Sequence, residues 1–143
     1  MFKNKAYLLL ALLMLPLAGC VYDRAMYVIE GRDHYIGVSR DQNWFWQDTV
    51  NIHLIAHRMP DCVESLRIDD VPRHATIELY YPPQVYVEPI HIAEVNKAYY
   101  AISTASCRVQ RFATRPDDLG RHLGSFKEAP DGRFGFVADP AAR

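Results

Sequence analysis

Six histidines are the first side chains in this sequence that could bind a metal ion. His53 and His57 lie four residues apart in the segment 50–57, where apolar residues alternate with more polar ones. That alternation predicts a strand, which would place both imidazoles on one face but about 13 Å apart, at about 3.3 Å per residue. One metal ion cannot bind two ligands at that separation. The other histidines are dispersed along the chain, so the sequence predicts no metal and no other cofactor.

Nucleophilic catalysis needs a serine or cysteine held beside a base. No serine lies in a Gly-x-Ser-x-Gly turn, the motif that exposes the nucleophile in many hydrolases. Asp69 and Asp70 are adjacent, and neighbouring side chains of a strand point to opposite faces, so they form no carboxylate pair. The sequence therefore predicts no catalytic residue and favours a protein that is not an enzyme.

The first twenty residues form a pattern in three parts. Lys3 and Lys5 give it a positive start, an apolar run follows at 8–15, and Leu17-Ala18-Gly19-Cys20 ends it. The apolar run is too short for a permanent transmembrane helix, which needs about 20 residues. A charged start followed by a short apolar run is typical of an export signal. The last four residues resemble the lipobox of bacterial lipoproteins.

This resemblance implies that Cys20 is the acylated first residue of the mature protein. In that family the cysteine thiol takes a diacylglycerol, the signal is cut just before it, and the new amine receives an acyl chain such as palmitate. Several acyl chains together make a lasting membrane anchor. The residue after Cys20 is Val21 rather than Asp, which implies sorting to the outer membrane. We therefore expect the protein on the inner leaflet of the outer membrane, facing the periplasm.

Two further cysteines remain, Cys62 and Cys107. The periplasm is oxidising, so two cysteines in an exported domain favour one disulfide. Two buried free thiols or a redox pair are the alternatives, although the sequence contains no Cys-x-x-Cys motif. A disulfide would also remove both thiols as catalytic nucleophiles.

Aromatic residues cluster in short stretches of the sequence. Tryptophan, phenylalanine and tryptophan follow one another at 44–46, and tyrosines surround two prolines at 80–86. Tyrosine and tryptophan on a rigid surface are favoured contact residues, whereas the alternative is packing in the core of a small β domain. The predicted partner-binding residues are Trp44, Trp46, Tyr80, Tyr81 and Tyr86.

Composition excludes several classes of protein. Half of the 143 residues are hydrophobic and 23% are charged, as in a globular domain rather than a disordered chain. The net charge is −1, and loss of Lys3 and Lys5 with the signal would make it −3, so the sequence predicts no nucleic-acid partner. The 124 residues left after cleavage before Cys20 suffice for one domain.

Short β-rich stretches separated by turn signals dominate the chain after the signal. They predict a mainly β domain, a small antiparallel sandwich or partly open barrel with at most one or two short helices. The alternative is an α+β domain with a helix near 62–70, where Val63 and Leu66 have helical spacing. The expected boundaries are 1–19 for the signal peptide, 20–24 for an acylated tether, 25–137 for the domain and 138–143 for a frayed tail.

These observations favour a non-catalytic role in the cell envelope. We expect a lipid-anchored accessory module that binds a protein or cell-wall partner through exposed aromatic side chains. A carrier of a small ligand or metal ion, and a small periplasmic enzyme, are the alternatives. A carrier of a metal needs histidines that the fold brings together, and an enzyme needs a cleft with polar groups of shifted pKa.

Overall fold

The computed structural model describes residues 19–142, which form ten strands and one 3₁₀ turn at Pro140–Ala142. The strands are β1 (Tyr22–Glu30), β2 (His34–Asp41), β3 (Thr49–Arg58), β4 (Cys62–Pro72), β5 (Ile77–Tyr81), β6 (His91–Val95), β7 (Ala98–Ser103), β8 (Arg108–Arg111), β9 (Arg121–Glu128) and β10 (Phe134–Ala138). Except for Gly19, the predicted signal peptide lies outside the described residues.

The strands pair in two antiparallel sheets. The first sheet has the order β1-β2-β3-β4, and the second has the order β10-β9-β5-β6-β7-β8. The sheets pack on one shared core and do not close into a barrel, so the predicted mainly β sandwich is confirmed. The 3₁₀ turn is the only helical element in the described part of the chain, and the α+β alternative is wrong. No helix within residues 19–142 is long and apolar enough to cross a membrane.

The alternation that predicts a strand at 50–57 is present in β3. Val50, Ile52, Leu54 and Ala56 are buried, whereas His53, Ile55 and His57 are only half-buried. Asn51 departs from the pattern because its buried amide donates a hydrogen bond of 2.8 Å to Asp41. The strand therefore places one face in the core and turns its imidazoles outward.

The segment 62–70, a helix under the α+β alternative, belongs to β4. This strand pairs with β3 from Cys62 opposite Arg58 to Pro72 opposite Thr49. The helical spacing of two apolar residues is a weak local signal, and pairing with a neighbouring strand outweighs it.

The core lies between the inner faces of the two sheets. Each buried aliphatic or aromatic side chain there stabilises the fold by roughly 1.5–3 kcal/mol. The first sheet contributes Ile36, Val38, Val50, Ile52 and Leu54, and the second contributes Ile77, Leu79, Ile92, Ile102 and Phe126.

Cys62 and Cys107 form the predicted disulfide, with their Cα atoms 5.8 Å apart, and the alternative of two free thiols is wrong. Cys62 begins the edge strand β4 of the first sheet, and Cys107 directly precedes the edge strand β8 of the second. The bond therefore fastens the two sheets along one side of the sandwich.

Both termini of the domain are more ordered than the sequence predicts. β1 begins at Tyr22, so most of the segment expected to be a tether is strand, and Val21 before it is buried. At the other terminus, Ala138 belongs to β10, and the amide of Asp139 donates a hydrogen bond of 2.9 Å to the carbonyl of Leu123. The expected frayed tail is therefore attached to β9 through Asp139.

Candidate functional site

The two ends of the sandwich carry different side chains. The Cys20 end contains Val21 and the loop 42–48 between β2 and β3, whereas the distal end contains the start of β2 and the end of β3. β2 connects the two ends, from His34 to Asp41, and its eight residues span about 23 Å at about 3.3 Å per residue. Features at the two ends therefore belong to separate sites.

A cleft of about 320 Å³ opens between the sheets at the distal end, and we call it the distal cleft. Its volume lies in the usual range for small-ligand sites, about 300–1,000 Å³. Aromatic, imidazole and guanidinium groups dominate its lining. The polar and aromatic lining residues are Tyr27, His34, Arg58, Tyr81, His91, Thr104 and Arg121.

His91 contributes a partly buried imidazole to the distal cleft. It begins β6, and its ring contacts those of Tyr27 and Tyr81, with centroid distances of 5.8 and 5.2 Å. Burial, together with the nearby charge of His34, lowers the pKa of His91 to about 4. His91 is therefore neutral near pH 7 and offers one donor and one acceptor to a ligand.

His34 and Thr104 face each other across the cleft. His34 Nε2 and Thr104 Oγ1 share a hydrogen bond of 2.7 Å, which joins the first sheet to the β7–β8 turn. This distance suits a nucleophile and its base, but the carboxylate of Glu30 lies 3.9 Å from His34 Nδ1 and is 87% exposed. The Glu30 carboxylate is thus too far from His34 Nδ1 for a hydrogen bond, and the His34–Thr104 contact links the first sheet to the β7–β8 turn.

Two arginines place positive charge at the mouth of the distal cleft. Arg58 ends β3, and Arg121 begins β9. Arg58 Nε lies 3.5 Å from a carboxylate oxygen of Asp61 in an exposed ion pair, and such pairs are weak. A guanidinium binds a carboxylate or phosphate through two parallel hydrogen bonds, so the mouth suits an anionic group.

The predicted aromatic residues do not come together in one patch. Tyr81 lines the distal cleft, and Tyr80 contacts His122 at a centroid distance of 5.1 Å. Tyr86 lies near Phe112 and lines a separate hollow of about 350 Å³. The tryptophans at 44 and 46 are exposed in the loop 42–48, at the opposite end of the sandwich from the distal cleft.

A second cluster of titratable groups surrounds His122. Its Nδ1 shares a hydrogen bond of 2.6 Å with Asp139 and its Nε2 one of 2.7 Å with Glu78, while Ser125 Oγ donates to the same Glu78 carboxylate at 2.5 Å. Ser125 thus contacts the Glu78 carboxylate rather than the imidazole of His122. The cluster joins β5, β9 and the end of the chain.

The histidines of β3 each have a different partner. His53 Nε2 bonds to Asp41 at 2.7 Å, and the ring of His57 stacks on Tyr35 at 4.2 Å. Within residues 19–142, no group of three or more His, Cys, Asp or Glu side chains is placed to hold a metal ion.

The sequence carries no local signal for the distal cleft. His91, Arg58 and Arg121 come from three different strands and show no shared spacing. Only Tyr81 among the predicted contact residues lines this cleft.

No protein-family model, curated protein or solved structure matches this chain. The function is therefore inferred from the chemistry of the site.

Proposed function

We propose that this chain is a lipid-anchored protein of the bacterial cell envelope that binds an acidic cell-wall fragment in the distal cleft without catalysis. The observation that carries the binding proposal is a cleft in which the imidazole of His91 packs against the rings of Tyr27 and Tyr81, with Arg58 and Arg121 in the same lining.

Each part of the distal cleft suits one part of such a ligand. The arginines would bind a carboxylate, because paired charge-assisted hydrogen bonds form readily between these groups. The faces of Tyr27 and Tyr81 would pack against a sugar ring, and neutral His91 would exchange hydrogen bonds with hydroxyl or amide groups. Cell-wall muropeptides combine all of these groups in one small molecule.

The proposed anchor rests on the lipobox resemblance at 17–20. Residues 1–19 would be removed as a signal peptide, and Cys20 would carry the diacylglycerol together with palmitate on its amine. The protein would then sit on the inner leaflet of the outer membrane. Because the distal cleft and Cys20 lie at opposite ends of the sandwich, the cleft would face the periplasm, where the cell wall lies.

A protein partner is the second candidate, supported by the outer face of the first sheet. Met26, Val28 and Val63 are 46, 47 and 56% exposed there, and Gly37 leaves a shallow hollow beside Met26. An exposed apolar face of this kind is typical of a protein-binding surface.

The test is titration of the acylated protein, in detergent micelles, with purified muropeptides by isothermal calorimetry. We expect binding that the double variant Arg58→Ala, Arg121→Ala weakens about tenfold or more, because it removes charge-assisted hydrogen bonds. The matched control is Arg133→Ala, which removes an arginine that is 89% exposed in the β9–β10 turn.

Equal affinity of the two variants would contradict the distal cleft as the site. If no muropeptide binds, and a photo-crosslinker at Val63 captures one envelope protein in intact cells, the second candidate is favoured. The mass of the N-terminal peptide tests the acylation of Cys20 separately.

A further inference from the structure

Three consecutive aromatic side chains are exposed at the Cys20 end of the sandwich. Trp44, Phe45 and Trp46 are 56, 49 and 64% exposed. The two indoles stack at a centroid distance of 5.2 Å, and the ring of Phe45 meets Trp46 edge-on at 4.9 Å. The three rings thus form one apolar surface on the loop 42–48, and we call this segment the aromatic loop.

Hydrogen bonds hold the aromatic loop in place. The amide of Gln47 donates to the carbonyl of Trp44 at 3.1 Å, and the side chain of Gln47 accepts from the amide of Trp44 at 3.2 Å. The amide of Arg73 donates to the carbonyl of Asp48 at 2.9 Å, which attaches the end of the loop to the β4–β5 connection. The rings are therefore presented to solvent by a braced turn.

The same loop is bonded directly to the residue after Cys20. The Gln42 amide donates to the Val21 carbonyl at 3.0 Å, and the Val21 amide donates to the Gln42 side chain at 3.2 Å. The side-chain amide of Gln42 also donates to the carbonyl of Gln47, across the base of the loop. Trp44 follows Gln42 by two residues, so their Cα atoms are at most about 7 Å apart.

No flexible spacer separates Cys20 from the domain. Val21 is 9% exposed and joined to Gln42, and β1 begins with the next residue. A lipid on Cys20 would therefore hold this end of the sandwich one residue, roughly 3.5 Å along the backbone, from the lipid-bearing residue. The surface beside Cys20 has to lie against the bilayer.

We propose that the aromatic loop inserts into the interfacial region of the membrane leaflet that holds the acyl chains of Cys20. This inference rests on the proposed acylation of Cys20. Tryptophan favours the membrane–water interface, where its ring is buried among acyl chains and its N–H stays near the headgroups. Tyr22, which is 77% exposed beside Cys20, adds a phenol of the same preference. Trp44 and Trp46 then contact lipid rather than a protein or glycan partner.

The chain offers a specific fluorescence probe, because Trp44 and Trp46 are its only tryptophans. The acylated protein is reconstituted into vesicles of phosphatidylethanolamine and phosphatidylglycerol, with and without lipid brominated on its acyl chains. We expect brominated lipid to quench the tryptophan emission. We also expect a water-soluble quencher to reduce that emission several-fold less in the vesicle-bound protein than in the same protein unfolded in denaturant.

The matched control moves the fluorophore to the distal end. The variant Trp44→Phe, Trp46→Phe, Val85→Trp keeps aromatic rings in the loop and places one indole at a residue that is 75% exposed in the β5–β6 loop. We expect brominated lipid to quench this variant several-fold less than the wild-type protein.

Each outcome decides the inference. Equal quenching of both proteins, or no quenching of the wild-type protein with Cys20 acylated, overturns the membrane contact and leaves the anchor intact. Unquenched tryptophans that crosslink to an envelope protein would assign the loop to that partner instead. A Cys20 that carries no lipid, shown by the mass of the N-terminal peptide, overturns the anchor and this inference together.

Discussion

Arg40 Nη2 on β2 donates a hydrogen bond of 2.9 Å to Oε1 of Glu128 on β9, and so joins the first sheet to the second. The same guanidinium donates to both carboxylate oxygens of Asp23, at 2.8 and 2.7 Å, and lies 4.0 Å over the ring of Phe134. Burial lowers the pKa of Arg40, but the hydrogen bonds to Asp23 and Glu128 outweigh it and raise the pKa overall. A fixed charge therefore sits inside the sandwich with Arg40 only 2% exposed.

Removing a carboxylate is expected to cost more than removing the guanidinium. Asp23→Ala leaves the buried charge of Arg40 short of a partner, and we expect a loss of about 3 kcal/mol in the free energy of unfolding. Arg40→Met removes that charge and replaces it with an apolar chain, while Asp23 and Glu128 remain partly open to water. Urea unfolding of the two variants checks this order, and a larger loss for Arg40→Met would contradict it.

His122 is expected to make the fold less stable as the pH rises above neutrality. Burial lowers its pKa, but hydrogen bonds to Asp139 and Glu78 outweigh this and raise the pKa above 6.5. The stabilisation is fully present below pH 6.5 and is lost as the pH rises through the raised pKa. Urea unfolding at several pH values should show this loss in the wild-type protein and less of it in His122→Gln. A pKa of His122 at or below 6.5 in an NMR titration would rule the effect out.

His91 is expected to act in the opposite direction. Its folded pKa of about 4 lies below the ordinary 6.5, so the unfolded chain binds a proton more readily between these values. The fold then loses about 3 kcal/mol as the pH falls through that window, and none above it. We expect His91→Gln to reduce this acid sensitivity, measured as the pH dependence of the urea midpoint. An unchanged profile in the variant would mean that His91 has the same pKa in the folded and unfolded protein, and would contradict the lowered pKa.

Gly124 is expected to tolerate no side chain. Its φ is +152°, and a Cβ there would lie 2.3 Å from the carbonyl oxygen of Val137 and 2.8 Å from Cα of Ala138 on the paired strand β10. A Cβ added at Gly135 on β10 would have no heavy atom within 4 Å, so Gly135 is the matched control. We expect Gly124→Ala to lower the thermal midpoint by several degrees, because β10 must separate from β9. We expect Gly135→Ala to change the free energy of unfolding by no more than about 0.5–1 kcal/mol, and so to shift the midpoint less. Similar midpoints for the two variants would show that β10 shifts without cost.

The sequence favoured the mainly β class of the fold and left an α+β domain as the alternative. Alternation at 50–57 reports directly on a strand with one buried face, because side chains of a strand point to opposite sides. The disulfide was predictable from the number of cysteines together with the expected export of the chain. The segment 62–70 was ambiguous, because two apolar residues at helical spacing are also compatible with an edge strand, and pairing with β3 decided between them.

Other features depended on tertiary structure. His91, Arg58 and Arg121 lie on separate strands, and periodicity shows which face of a strand is buried but not which strand ends meet. Arg40 is likewise an ordinary charged residue in the sequence, and only the approach of β1 and β9 explains its burial.

The sequence by itself favoured the β character and the pairing of the two cysteines, and it carries the lipobox resemblance at Cys20, because each depends on local residue types and spacing. The tertiary structure decided that the aromatic residues at 44–46 are exposed rather than part of the core, and that they lie beside Val21. It also decided that the distal cleft lies at the opposite end. Both outcomes follow from the packing of two sheets, whose strand directions set which loops share an end of the sandwich.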